Sequence, residues 1–168
     1  MEQSVCHIVL KDTFDTRVKL RNLNRGTYMR ILGLDYGDKT VGVAITDEML
    51  LTAQPVTTII RERKDKLRKT YQQIEKIIEE YSVEKIVVGM PFNMDGSEGE
   101  RTERTKAFIL ELHRRTGLEI IEVDERLTTV EADEVLQEMG VPASERKTYI
   151  DKIAAAIILK SYLNEVEI

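Results

Sequence analysis

Four acidic residues stand where an acid is out of keeping with its neighbours: Asp35, Asp124, Glu125 and Asp151. Asp35 ends the apolar run "ILGLD", and after "YGDKT" a second apolar run, "VGVAIT", begins. Asp124 and Glu125 end "LEIIEVDE". Asp151, in "YIDKIAAAIILKSYL", shares a helical stripe with Ala154, Ala155 and Ile158, which is otherwise apolar and should face a core. An ionised carboxylate pressed against a core is costly unless it is paired or binds a metal. Acids converging on one spot raise one another's pKa values unless a cation compensates. Oxygen-only ligands favour Mg²⁺ or Mn²⁺ over softer metals, and two such ions about 4 Å apart can activate a water and stabilise the leaving oxygen in phosphodiester hydrolysis. Each acid also has an ordinary reading. Asp35 can open a turn, Asp151 can cap a helix that starts at Lys152, and Asp124 and Glu125 can be solvated loop acids. Only their joint placement points to chemistry.

Whether they meet depends on the elements that carry them. "MRILGLDY" and "TVGVAITD" read as two strands of a hairpin, and "LTAQPVTTII" as a third in which Pro55 favours an edge. Leu67, Tyr71, Ile74, Ile77, Ile78 and Tyr81 follow helical spacing. "EKIVVGM" is typical of a buried parallel strand. The polar loop "PFNMDGSEGERT" leads to a helix around Glu103 to Thr116, stopped by Gly117. "LEIIEVD" is a fifth strand, and Thr128 and Glu131 have capping-box spacing at the start of a helix that stops at Gly140. A last helix is expected over roughly Tyr149 to Leu163. The order β-β-β-α-β-α-β-α-α implies an α/β protein with a mixed five-stranded sheet, strand order 3-2-1-4-5, flanked by helices. The carboxyl ends of strands one, four and five then share one edge, where open α/β folds place ligands. Gly89, at the end of strand four, leaves room between the acids.

Size and composition narrow the field. The 168 residues, 42% hydrophobic and 33% charged, suit one folded domain rather than a disordered chain. No apolar run approaches the roughly 20 residues needed to cross a bilayer, so no membrane partner is expected. A single cysteine, Cys6, excludes an internal disulfide, fits a reducing, cytoplasmic location and, with only His7 and His113, excludes a Cys/His zinc site. Residues 1–28 lack sustained periodicity and read as an extension outside the fold, with the domain at 29–168. As a targeting peptide the extension is weak, since it has no compact apolar stretch and carries Glu2, Asp12 and Asp15. Five of the 25 Lys/Arg and three of the 30 Asp/Glu lie there, which leaves the domain near −7. Contact with a polyanion therefore needs a local basic patch.

Two candidates exist. In "NMDGSEGERT", Gly96 and Gly99 permit close approach to a helix N-terminus, and Arg101 and Arg104 can add charge-assisted contacts to phosphate. The alternative is a polar surface loop. "RERKDKLRK" gathers six basic residues around a helix start, where the macrodipole disfavours them. Arg63 and Lys64 are the pair read as a phosphate-backbone contact, against the alternative of a solvated face. Arg126 and Thr128 read as loop organiser and helix cap. With 5% aromatics and no tryptophan there is no obvious base-stacking platform, which favours recognition of shape or backbone.

The blocks "GLDYGDKTVGVA", "VVGMPFNMDGSEGERT", "VDERLTT" and "IDKIAAAIIL", in that order, resemble the YqgF (RuvX) family, relatives of the RuvC Holliday-junction resolvases with a ribonuclease H-like fold. The resemblance covers essentially Met29 to Leu163. It implies a metal-dependent nuclease with an acidic centre at Asp35, Glu125 and Asp151, Asp124 as a further metal-ligand candidate, and one or two Mg²⁺ or Mn²⁺ ions. The implied substrate is the precursor of small-subunit (16S) ribosomal RNA, with branched DNA as the alternative; a non-catalytic ribosome-assembly role is a third reading. A monomer or weak homodimer is expected. One departure stands out: RuvC-type enzymes carry an acid at the fourth strand, where this chain has "VVGM", so the site would lean on Glu125. An actin- or sugar-kinase-like phosphotransferase also begins with an Asp-x-Gly hairpin, but it needs two such domains.

Overall fold

Period-two alternation in the strands sends one set of side chains to each face of a single sheet. The structure, a computed structural model, describes residues 29–61, 66–126 and 128–166. Its strands are β1 (Arg30–Tyr36), β2 (Thr40–Thr46), β3 (Ala53–Ile60), β4 (Val83–Met90) and β5 (Glu119–Asp124). Its helices are α1 (Arg68–Tyr81), α2 (Glu100–Thr116), α3 (Thr128–Glu138) and α4 (Ala143–Glu165). The sheet order is β3-β2-β1-β4-β5, with β1 antiparallel to β2, β2 antiparallel to β3, and β1, β4 and β5 parallel. This is the mixed five-stranded sheet, order 3-2-1-4-5, expected from the sequence. Pro55, which has no N–H to give to a ladder, lies in the edge strand β3.

One face of the sheet carries Leu32, Leu34, Val41, Val43, Ile86 and Val88 into the larger core, with Ile74 from α1 and Phe108 and Leu112 from α2. The other carries Ile31, Ala44 and Val87 against Ala155, Ile158 and Leu159 of α4. By the same alternation Asp35, Gly33, Gly42 and Gly89 face α4. Gly33 and Gly42 let the helix lie close. A Cβ on Gly33 would stand 2.9 Å from the Ala155 carbonyl and from Leu159 Cβ, and one on Gly42 would overlap the Asp151 carbonyl.

Two helices start earlier than their apolar patterns indicate. α2 begins at Glu100 rather than Glu103: Gly99 is its extended N-cap, and the Thr102 hydroxyl accepts a bond from the Gly99 N–H (3.3 Å) while donating to the Pro91 carbonyl (2.9 Å). α4 begins at Ala143, six residues before Tyr149. Pro142 supplies the entry, its carbonyl accepting from the Glu145 and Arg146 N–H groups. The segment "ASERKT" has few apolar residues to announce a helix, but Ala, Glu, Arg and Lys form helix readily. No helix among the described residues is long and apolar enough to cross a membrane.

Candidate active site

The parallel strands β1, β4 and β5 bring their carboxyl ends to one sheet edge, and the site lies there. Asp35 belongs to β1, opposite Gly42 of β2, and it is not the turn residue: the turn is closed by the Gly37 N–H donating to the Thr40 carbonyl. Glu125 follows the last residue of β5 and is only 8% exposed. Its backbone is held at both ends, the N–H donating to the Met90 carbonyl and the carbonyl accepting from the Thr128 N–H and hydroxyl. Gly89 makes the space for its carboxyl group, since a Cβ there would overlap Glu125 Oε2. A side chain at position 89 would force the Glu125 carboxyl out of this position.

Asp151 sits in the interior of α4, eight residues after its start, which removes the N-cap reading. Its charge reaches Asp35. Burial first, then that charge, lifts the Asp35 carboxyl from 3.8 to about 6, while a hydrogen bond from Glu125 and the Arg101 charge act in the opposite direction. Glu125 rises from 4.5 to about 9 through burial and the Asp35 charge, again opposed by Arg101. Burial and the facing charges thus favour a proton retained between the two carboxyls. Glu125 Oε2 is buried without a hydrogen-bond partner.

Those features fit a divalent metal. An orphaned buried oxygen, an all-carboxylate donor set and a retained proton are what a hard cation would satisfy or displace. Asp35 and Glu125 form the core of the set, with Asp151 beside Asp35. Among the described residues no three His, Cys, Asp or Glu side chains are placed so as to hold a metal ion together.

The other expected residues divide. Asp124 ends β5 exposed, and its carboxylate is taken by Arg126, with Arg126 Nη2 at 2.7 Å and Nε at 2.8 Å from Oδ2. Its charge adds to the upward shift of Glu125. A cleft of about 270 Å³ opens beside Glu125, lined by Phe92, Asn93, Gly99, Arg101, Arg104 and Arg126 among others. Arg101 lies in it. Arg104 also lines it but is tied down, to Asp38 at 3.0 Å and Glu100 at 3.7 Å, so it joins α2 to the β1–β2 turn. Gly96 has φ +83°, the left-handed conformation of a turn closed by its N–H donating to the Asn93 carbonyl. Gly99 has no such need, with only ordinary contacts to Asn93 where a Cβ would stand. Arg63 and Lys64 lie outside the described residues.

Sequence reasoning missed the role of Gly42 and Gly33 in seating α4. Their signal was present, because a glycine inside a strand often marks close approach of another backbone. It also missed that Asn93 organises the loop, its N–H donating to the Ser97 carbonyl and its Nδ2 to Ser97 Oγ, both at 2.9 Å.

The family model RuvX, described as Holliday junction resolvase, matches residues 29–165. A protein of Agathobacter rectalis named "Putative pre-16S rRNA nuclease" is 56% identical over 136 residues, covering 81% of this chain and 95% of its own. One of Lachnospira eligens with the same name is 56% identical over 135 residues, covering 80% and 96%. Among solved structures, T. thermophilus RuvC in complex with Holliday junction substrate aligns with TM-score 0.49 at 14% identity, over 82% of this chain and 94% of that one.

Proposed function

This chain belongs to the RuvX family, and on that premise we propose that it is a metal-dependent endonuclease of structured nucleic acid, acting in the cytoplasm in 5′-end maturation of pre-16S ribosomal RNA. The relatives' name supports hydrolysis of a phosphodiester bond in that precursor. The observation that carries the reading is the coupling of Asp35 to the buried Glu125, which lines a cleft that also holds Arg101. We place the activity in residues 29–168 and assign residues 1–28 no part in it.

Asp35, Glu125 and Asp151 would hold one or two Mg²⁺ or Mn²⁺ ions; the chemistry supplied when bound is activation of a water and neutralisation of the leaving oxygen. The chain's own groups prepare for this. Burial keeps Glu125 out of competing solvent, and a cation bound there would take the place of the proton its raised pKa retains. Arg101, whose charge reaches both carboxylates, holds the substrate phosphate over them. Ion pairs of Arg104 fix the helix that carries Arg101 against the β1–β2 turn beside Asp35.

The test incubates purified protein with pre-16S RNA and with four-way DNA junctions, in Mg²⁺, Mn²⁺ or chelator. Cleavage of the RNA that needs metal and is lost in Asp35→Asn supports the proposal. Preference for the junction would move the substrate to branched DNA, which the family's description also suggests. Equal cleavage by wild type and variant would mean a contaminating nuclease, and no cleavage of either substrate would leave a non-catalytic assembly role.

A further inference from the structure

Glu125 is flanked by two residues that grip each other across it. The Asp124 carboxylate accepts from the Arg126 N–H at 3.1 Å and from its guanidinium at 2.7 and 2.8 Å, so the backbone turns tightly between them. The same guanidinium donates to the Met94 carbonyl at 3.4 Å. Met94 is 70% exposed, in the loop between β4 and α2. That loop is internally braced, with Asp95 Oδ1 accepting from the Ser97 N–H and hydroxyl and the Asn93 N–H donating to the Ser97 carbonyl. Across the described contacts, Arg126 is the side chain that joins the braced loop to the strand end presenting Glu125.

We propose that Arg126 is a positioning residue: its fork, shared between Asp124 and the Met94 carbonyl, sets the substrate loop and the Glu125 carboxyl in one register, so that the loop comes to rest where the carboxylates can act. The proposal rests on the nuclease reading for its kinetic consequence, but not for its structural one. An ion pair this exposed adds little to global stability. Its effect is on geometry, because the pinch turns the Glu125 side chain inward over Gly89 while the third bond anchors the loop above it. Lysine retains the charge but lacks the planar fork that serves two acceptors at once.

The experiment compares wild type, Arg126→Ala and Arg126→Lys in the full chain by three readouts: Mn²⁺ titration, hydrogen exchange over residues 91–99, and cleavage kinetics on whichever substrate the wild type cuts. The expected result for Arg126→Ala is an unchanged melting temperature, faster exchange in the loop, and a loss of about 10- to 100-fold in Mn²⁺ affinity and in kcat, with KM nearly constant. Arg126→Lys should fall between. A rise in KM alone, with exchange and Mn²⁺ binding unchanged, would overturn positioning and make Arg126 a direct substrate contact. No change in any readout would reduce it to a surface ion pair. Should wild type cut neither RNA nor junction while exchange and Mn²⁺ binding still respond as expected, the nuclease reading fails and the positioning role stands.

Discussion

The carbonyl of Asp151 occupies the space that a side chain on Gly42 would need. Gly42 is the register partner of Asp35 across the β1–β2 ladder, so this one contact places the helix residue beside the strand residue. Gly33, on the same face, receives the next turn of α4 at Ala155. The helix is thus seated on two glycines, and the electrostatic coupling of Asp151 to Asp35 follows from that seating.

Gly42→Ala should therefore separate Asp151 from Asp35. Backbone overlap cannot be relieved by a rotamer change, so α4 must shift, at a stability cost of about 1–3 kcal/mol or more. Mn²⁺ affinity should fall with it. Gly117→Ala is the control. It precedes β5, at the opposite end of that strand from Glu125, at φ +68° with open space around it, and should cost about 1 kcal/mol through backbone strain while leaving Mn²⁺ binding unchanged. Paired melting curves and Mn²⁺ titrations separate the two outcomes. Equal effects of both variants on metal binding would remove the proposed role of the seat.

Gly89→Ala tests the pocket for Glu125. The added methyl would overlap Glu125 Oε2 and crowd Ile158 Cδ1, so the carboxyl must leave its place. Cleavage should drop by about two orders of magnitude, the scale of a misplaced catalytic group. Retained activity in a folded Gly89→Ala protein would show that Glu125 is not needed where it stands.

The two raised carboxyls set a pH dependence with a definite sign. Asp35 goes from 3.8 to about 6 and Glu125 from 4.5 to about 9, so the folded state holds both protons more tightly than the unfolded chain. Their stabilising contribution is full below about pH 4 and is lost as pH rises through about 6 and then about 9. Chelator-treated protein should lose melting temperature between pH 6 and 9, and Glu125→Gln, which does not ionise, should flatten the upper part of that decline. Added Mn²⁺ at pH 8 should restore stability to wild type more than to Glu125→Gln. A melting temperature independent of pH over this range would contradict the shared proton.

Asp35→Asn should act oppositely on activity and stability. It removes a ligand whose bound ion supplies several kcal/mol to the transition state, a loss of about 10³-fold in rate. It also removes a buried charge, so the metal-free variant should melt higher than wild type at pH 8. Thermal unfolding and single-turnover cleavage on one preparation measure both. A variant that loses both activity and stability would mark Asp35 as structural.

Neutralising Arg63 and Lys64 together addresses RNA contact outside the cleft. If both touch phosphate, the slope of log affinity against log salt should fall by about 1.4 on single-stranded RNA. An unchanged slope would exclude the pair.

The chain by itself determined the elements, their order and the sheet. Alternation in "MRILGLDY" and "TVGVAITD" and the buried run "EKIVVGM" depend on nearest neighbours along the chain, and the handedness of crossovers then leaves one arrangement, order 3-2-1-4-5. It also showed that Asp35, Glu125 and Asp151 were in unusual places for acids. What it left open was which acids meet. Asp124 and Glu125 are adjacent, and only the packing of the loop decided that Arg126 would take the first while the second turned inward over Gly89. The helix-cap alternative for Asp151 stayed open until α4 began at Ala143 and seated the Asp151 carbonyl on Gly42. Local sequence sets backbone preference over a few residues, whereas the direction of a carboxylate is decided by side chains and glycine gaps supplied from distant segments. That information exists only once the segments have packed.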